Sequence, residues 1–138
     1  MPSTSQEALL FNPDPAAYLP HRAPFLFLDR ILSLEPGKSA VAILNRTGDT
    51  EGWPIYLCVE AMAQLGGIAS ATEEGGGGIL AAIERAEFHD AAEEGDRLEV
   101  TVRVVKAFGP LSLVEATVTT NERLVASATI TLKIGRLS

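Results

Sequence analysis

Glu60 is the residue of this chain whose type and surroundings best suit acid–base work. It lies in YLCVEAMAQLGG, residues 56–67, where nearly every neighbour is apolar. Burial in such surroundings raises a carboxylate's pKa and fits it to deliver a proton near neutral pH. The plainer alternative is a helix carboxylate that points to solvent or to an arginine. Gln64 follows one helical turn later on the same face. It either steadies Glu60 with a hydrogen bond or is a polar residue at an interface between chains. Ile55 and Tyr56 open the segment, so their backbone N–H groups fall at the unsatisfied, electropositive end of a helix. Donors of that kind can polarise a substrate carbonyl in the manner of an oxyanion hole. Such chemistry also needs a base. The chain has two histidines, His21 and His89, and neither lies near Glu60 in sequence. Asp49 and Glu51, in GDTEGWP, are nearer, and are either a substitute base or ordinary solvated loop acids.

These residues need elements to position them. Residues 1–13 read as a loose lead-in, and Asp14 with Pro15 as the start of a short helix that the two prolines of YLPHRAP (18–24) end. FLFLDRILSLE (25–35) is apolar enough for a strand buried on both faces, PGK for a turn, and SAVAILN (39–45) for the returning strand. Residues 55–72 are apolar nearly all round, the mark of a buried helix. Gly66 and Gly67 each cost about 1 kcal/mol of helix propensity. Close approach of the helix to something flat, such as a sheet, accounts for them.

EEGGGG (73–78) is a loop, and strands follow at 79–89, 97–106, 111–120 and 123–134. In the second of these, Leu98, Val100, Val102 and Val104 share a face. Asn121 and Glu122 join the last two strands as a short hairpin. The final strand alternates, with Leu124, Ala126, Ala128, Ile130, Leu132 and Ile134 inward and Ser127, Thr129, Thr131 and Lys133 outward. Two strands, one long buried helix and four more strands make an α+β class, with an antiparallel sheet curved round a single helix.

Composition narrows the function classes. A chain of 138 residues with 46% apolar content is expected to be one domain, 1–138, with a sizeable core. A net charge of −7 argues against nucleic acid as a partner. No apolar run reaches the roughly 18–20 residues of a membrane span. The N-terminus lacks the basic start and apolar core of a signal peptide. The lone Cys58 permits neither an internal disulfide nor a cysteine-rich zinc site, and reads as core packing. The expected location is cytoplasmic, with no metal and no cofactor.

Three blocks carry a family resemblance. LPHRAPFLFLDRILSLEPGKSAVAI (19–43) resembles the opening of the β-hydroxyacyl-acyl-carrier-protein dehydratases. VEAMAQLGGI (59–68) is similar to their central helix. AAIERAEFHDAAEEGDRLEV (81–100) resembles their G-I-D-x-A-R-F-x-x-x-V-x-P-G-D stretch. The resemblance runs from about Leu19 to the C-terminus. It implies the hotdog fold and a homodimer whose sheets join edge to edge, with active sites at the interface. It also implies that Glu60 helps a β-hydroxyl leave as water, that Gln64 holds Glu60, and that the backbone N–H at Ile55 and Tyr56 meets the thioester carbonyl. Trp53 either covers an acyl tunnel or packs, and His21, in LPHR, is structural.

The chain departs from the family pattern G-H-F-P-x-x-P-x-x-P-G-V-L-x-x-E-A-M-A-Q. Pro54 matches the third proline and Glu60 to Gln64 match outright, but Arg46 stands where the histidine base belongs. Some dehydratase-like proteins with a short acidic, glycine-containing loop in this place resemble it, among them proteins of polyene pathways. The family's basic R-F-K-R is replaced by Glu87, Phe88, His89 and Asp90, which leaves Arg22, Arg85 and Lys106 to meet an acidic carrier protein. The resemblance therefore implies a protein that acts on or binds β-hydroxyacyl thioesters of acyl carrier protein or coenzyme A in fatty-acid, polyketide or polyene metabolism, with weakened or altered dehydration. A hotdog thioesterase using Glu60 or Asp49 is an alternative. So is a non-catalytic acyl-binding subunit paired with an active homologue, as a heterodimer in place of a homo-oligomer.

Overall fold

The computed structural model describes residues 11–15, 28–45, 56–71, 78–89 and 97–134. Within them lie β1 (Arg30–Glu35), β2 (Ser39–Asn45), α1 (Tyr56–Ser70), β3 (Gly78–Phe88), β4 (Arg97–Phe108), β5 (Leu111–Thr120) and β6 (Arg123–Ile134). The six strands form one sheet in the order β1-β2-β4-β5-β6-β3, and every described pairing is antiparallel. β1 and β3 are its edges. The helix packs on the inner face against β2 through β6. This is the arrangement that the hotdog resemblance implies.

The period of two sorts each central strand. Leu98, Val100 and Val102 of β4, Val114, Ala116 and Val118 of β5, and Ala126, Ala128, Ile130 and Leu132 of β6 are buried beneath the helix. Three of these ten positions are alanine, and small side chains let a helix sink toward the sheet. Gly66 marks the closest approach. A Cβ placed there would lie 2.8 Å from Leu132 Cδ1 and 3.4 Å from Val114 Cγ1. The glycine expected from sequence to allow contact with a flat surface therefore does so, and its propensity cost is the condition for that contact.

Bulges bend the sheet round the helix. The register skips Leu32 in β1, Ala81 and Glu84 in β3, Val105 in β4 and Val125 in β6. Each extra residue bends its strand and increases the local twist.

The bulge at Val125 corrects one expectation. Leu124 is exposed and Val125 is buried, because the extra residue reverses the phase for everything before it. A second correction concerns β1. It is an edge strand with Ile31 buried and Leu32 exposed, and it is not buried on both faces. Its outer side is partly covered, since the Ile31 N–H donates to the Pro13 carbonyl at 2.8 Å. The short helix expected after Asp14 and the strand residues 25–27 lie outside the described residues.

The hairpin between β5 and β6 is the two-residue type foreseen at Asn121 and Glu122, with φ of 49° and 65°. Both residues are left-handed, which matches the twist of the flanking strands. Asparagine tolerates this, whereas glutamate carries a steric cost of roughly 1–2 kcal/mol. Glu122→Gly is therefore expected to raise stability by up to about 1 kcal/mol once backbone entropy is deducted. Urea unfolding checks this, and an unchanged or lower midpoint contradicts it. Gly66→Val in the same measurement should lower stability by about 1–3 kcal/mol, through overpacking against Leu132 and Val114.

Candidate functional site

Two contacts fix the direction of α1. The Gly37 N–H donates to the Ala69 carbonyl at 2.7 Å, and the Ser70 and Ser112 hydroxyls lie 2.8 Å apart. The helix C-terminus thus sits beside the β1–β2 turn and the start of β5. Fifteen residues carry it about 22 Å along the sheet. Its N-terminus lies toward the other end, where β2 and β5 finish and β4 and β6 begin. Tyr56 is the first helical residue, so its N–H belongs to the unsatisfied first turn. No acidic side chain stands in that turn to neutralise the positive end of the dipole.

Glu60 breaks the burial of α1. From Cys58 to Ala69 every other residue is buried, and Glu60 is exposed. The burial expected for this carboxylate is therefore corrected. Its position on the helix explains the difference. Gly66, which faces β5 and β6, is six residues on, so Glu60 points about 120° away from the sheet. A single protomer does not cover that side at Glu60. Among the described residues, none forms a hydrogen bond or ion pair with the Glu60 carboxylate. Gln64 lies one turn along the same face, is only 5% exposed, and is not without a partner. The pair is thus graded: a buried amide behind and an open carboxylate in front, near the start of the helix.

Of the other residues singled out from sequence, Asp49, Glu51, Trp53 and Ile55 lie outside the described residues, as do His21 and Arg46. Tyr56 is placed through its backbone. His89 is at the end of β3, with Nε2 at 3.3 Å from Ser127 Oγ and 3.9 Å from Glu87 Oε2. It therefore belongs to the outer face of the sheet, across from α1. A cavity of about 620 Å³ opens on that face between Arg85, Arg103, Glu115 and Ser127. Among the described residues, neither Glu60 nor Gln64 lines it. Arg85 pairs there with Glu87, and Arg103 with Glu115. Lys106 stands over the Phe108 ring, 5.8 Å from its centroid. Two of the three cations available for an acidic carrier are thus already engaged. Among the described residues no group of acids, histidines and cysteine is arranged to hold a metal, and no helix is long and apolar enough to cross a membrane.

Sequence reading passed over Thr120. It shares the inward phase of Val114, Ala116 and Val118 and is 2% exposed, and its Oγ1 has no hydrogen-bond partner. It lies at the end of β5, the same end of the sheet as the start of α1. The available signal was its phase in the strand, which a reading of threonine as an outward residue obscures.

The thioesterase superfamily model matches residues 58–127. The chain is 37% identical to a 3-hydroxyacyl-acyl-carrier-protein dehydratase, FabZ, of Desulforamulus reducens, covering 86% of this chain and 92% of that one. It is 36% identical to the FabZ of Clostridium acetobutylicum, covering 84% and 92%. Among solved structures, a chain of the dehydratase heterocomplex ApeI:P from Xenorhabdus doucetiae superposes with a TM-score of 0.74 at 14% identity, over 93% of each chain. A hypothetical thioesterase with coenzyme A from Streptococcus pneumoniae gives 0.63 at 18%, over 78% of this chain and 87% of that one. At such identities the two structures establish the fold, and the fold is the hotdog.

Cys58 supports the packing reading made from sequence. Burial pushes its thiol up from 9.0 to about 11. Native protein at pH 8 should therefore alkylate slowly with iodoacetamide, and urea should release the thiol; rapid native labelling contradicts this. Because folding raises this pKa, the associated stability is present below about pH 9 and is lost as pH rises toward 11. The urea midpoint should fall more steeply across that window in the parent protein than in Cys58→Ala.

Proposed function

This chain belongs to the 3-hydroxyacyl-acyl-carrier-protein dehydratase family, within the thioesterase superfamily, and from that membership we propose that it binds β-hydroxyacyl thioesters and dehydrates them weakly when acting alone. The observation that carries this reading is Glu60, the one open carboxylate on an otherwise buried stretch of helix, with Gln64 behind it. The thioester would come from acyl carrier protein or coenzyme A, in fatty-acid, polyketide or polyene metabolism.

The chemistry would run as follows. A base removes the α proton, and the electrons move into the thioester carbonyl. The N–H groups of Ile55 and Tyr56, at the positive end of α1, hold the developing oxyanion. Collapse of the enolate expels the β-hydroxyl, and Glu60 protonates it so that water leaves. Gln64 positions Glu60. The base is the weak point, because Arg46 stands where the family has histidine. Asp49 and Glu51 are the carboxylates near enough in sequence to replace it, and Trp53, three residues before Tyr56 in sequence, would cover an acyl chain.

An assembly of two chains supports this reading better than one. The exposed Glu60 needs a cover that excludes water, and a second subunit would supply it. That subunit is either another copy or a homologue, and the fold shared with a chain of a dehydratase heterocomplex keeps the second option in view. Thioester hydrolysis is the rival activity. A carboxylate near a helix N-terminus, within a stretch that matches the thioesterase superfamily model, favours it.

One assay separates these readings. Purified protein is given a β-hydroxyacyl thioester, and enoyl product and free thiol are both followed. Dehydration is expected to be slower than in a histidine-bearing relative by about 10² to 10⁴, the worth of one acid–base contact, with binding retained. Free thiol without enoyl product would establish the thioesterase instead. Glu60→Gln should abolish turnover with the fold intact; unchanged turnover would remove Glu60 from the mechanism. If the rate equals that of a histidine-bearing relative, Asp49→Ala and Glu51→Ala identify the base.

A further inference from the structure

We propose that the outer face of the sheet, at the end away from the start of α1, docks on an anionic lipid surface. This role is separate from the thioester chemistry proposed above.

Lys38, Lys106 and Lys133 are the three lysines of the chain, and the fold gathers all of them at this end. Leu111 of β5 stands between Phe108 of β4 and Lys133 of β6, and Lys133 is opposite Ile79 of β3. Lys106 is opposite Leu113 in the next outward row. Ser112 and Leu132, of the alternate phase, are buried, so these residues point to the outer face. The Val104 N–H donates to the Lys38 carbonyl at 2.7 Å, which sets Lys38 beside the bulged Val105. The strip crosses five strands, and at about 4.8 Å per strand it is about 19 Å wide. Ile79 and Phe108 are 55% and 45% exposed in it.

Among the described residues, few acids oppose these amines. Glu35 shares the turn of Lys38 and accepts from Ser39 Oγ at 3.4 Å. Glu84 lies at the β3 bulge, and Glu87 and Glu115 are paired with Arg85 and Arg103. Glu99 is at the other end of β4, where nine steps put it about 30 Å from Phe108. Glu73 and Glu74 lie outside the described residues. Lys106 meets the Phe108 ring, a contact that leaves its charge unneutralised.

Charge complementarity selects the occupant. A second copy would set lysine against lysine. A protein partner gains most from a contiguous, desolvated apolar centre, whereas here a lysine interrupts each apolar row. A layer of anionic headgroups accepts both at once. The amines stay with the phosphates, while their stems and the apolar tips reach the acyl boundary. The field of such a surface fades within about 8 Å at physiological salt. The charges that face it therefore decide binding, and the −7 of the whole chain counts for less. Docked in this way, the chain turns Glu60 away from the lipid, because α1 lies on the inner face and Glu60 points away from the sheet.

Vesicle flotation with the whole chain tests this. The parent protein is expected to float with vesicles of phosphatidylglycerol mixed with phosphatidylcholine, and to stay behind with phosphatidylcholine alone. Added salt should release it. Lys38→Gln, Lys106→Gln and Lys133→Gln should each weaken binding by about fivefold, whereas Arg97→Gln, at the opposite end of β4, should leave it unchanged. In a Trp53→Phe background, the fluorescence of Phe108→Trp should shift to the blue with the anionic vesicles only. Binding to both kinds of vesicle alike, to neither, or without regard to the three lysines overturns the proposal. Capture of the parent protein by polyglutamate but not by anionic vesicles also overturns it, and assigns the strip to an acidic protein instead.

Discussion

The packing of α1 into the concave face of the sheet is the constraint on which the rest depends. The helix is apolar on nearly every side, so leaving it in water would forfeit the largest block of hydrophobic burial in the chain. Burying it requires a sheet that curves, a floor of small side chains and a helix that can come close. Bulges in four of the six strands, the alanines of β2, β5 and β6, and Gly66 meet those needs together. Removing any one would push the helix outward and open gaps that close-packed interiors do not tolerate.

The same packing sets the geometry of the site. Once Gly66 faces β5 and β6, the pitch of the helix leaves Glu60 no choice but to face away from the sheet. Its N-terminal end is directed to the far end of the sheet, where no acid in the first turn competes for the dipole. An open carboxylate, a buried amide one turn behind it and a helix N-terminus are thereby held on one rigid element. This is the kind of support that acid–base chemistry needs, because small displacements of a catalytic group cost rate steeply. Under the proposed function, a second chain would cover the side of the helix on which Glu60 is exposed.

Charge placement on the outer face limits the partners further. Arg85 and Arg103 are each tied to a glutamate, and Lys106 leans on Phe108. The net charge of −7 adds an unfavourable long-range field for an acidic carrier.

The sequence by itself determined the number and order of the described elements, the buried helix, the hairpin at Asn121 and Glu122 and the need for a close approach at Gly66. These follow from local period, turn chemistry and residue size, which act within a few residues and can be read along a line. The family resemblance also singled out Glu60 and Gln64, and Arg46 in the place of the family histidine. It did not determine that Glu60 is exposed, that Leu124 turns outward, or that Thr120 is buried with an unused hydroxyl. Those depend on bulges and on which side of α1 meets the sheet, and both are settled by contacts between strands far apart in the chain. A period of two predicts the face of a residue only until an inserted residue shifts the phase. A helix apolar all round gives no moment to say which side faces in. Only the tertiary structure, by seating Gly66 against Leu132, decided that.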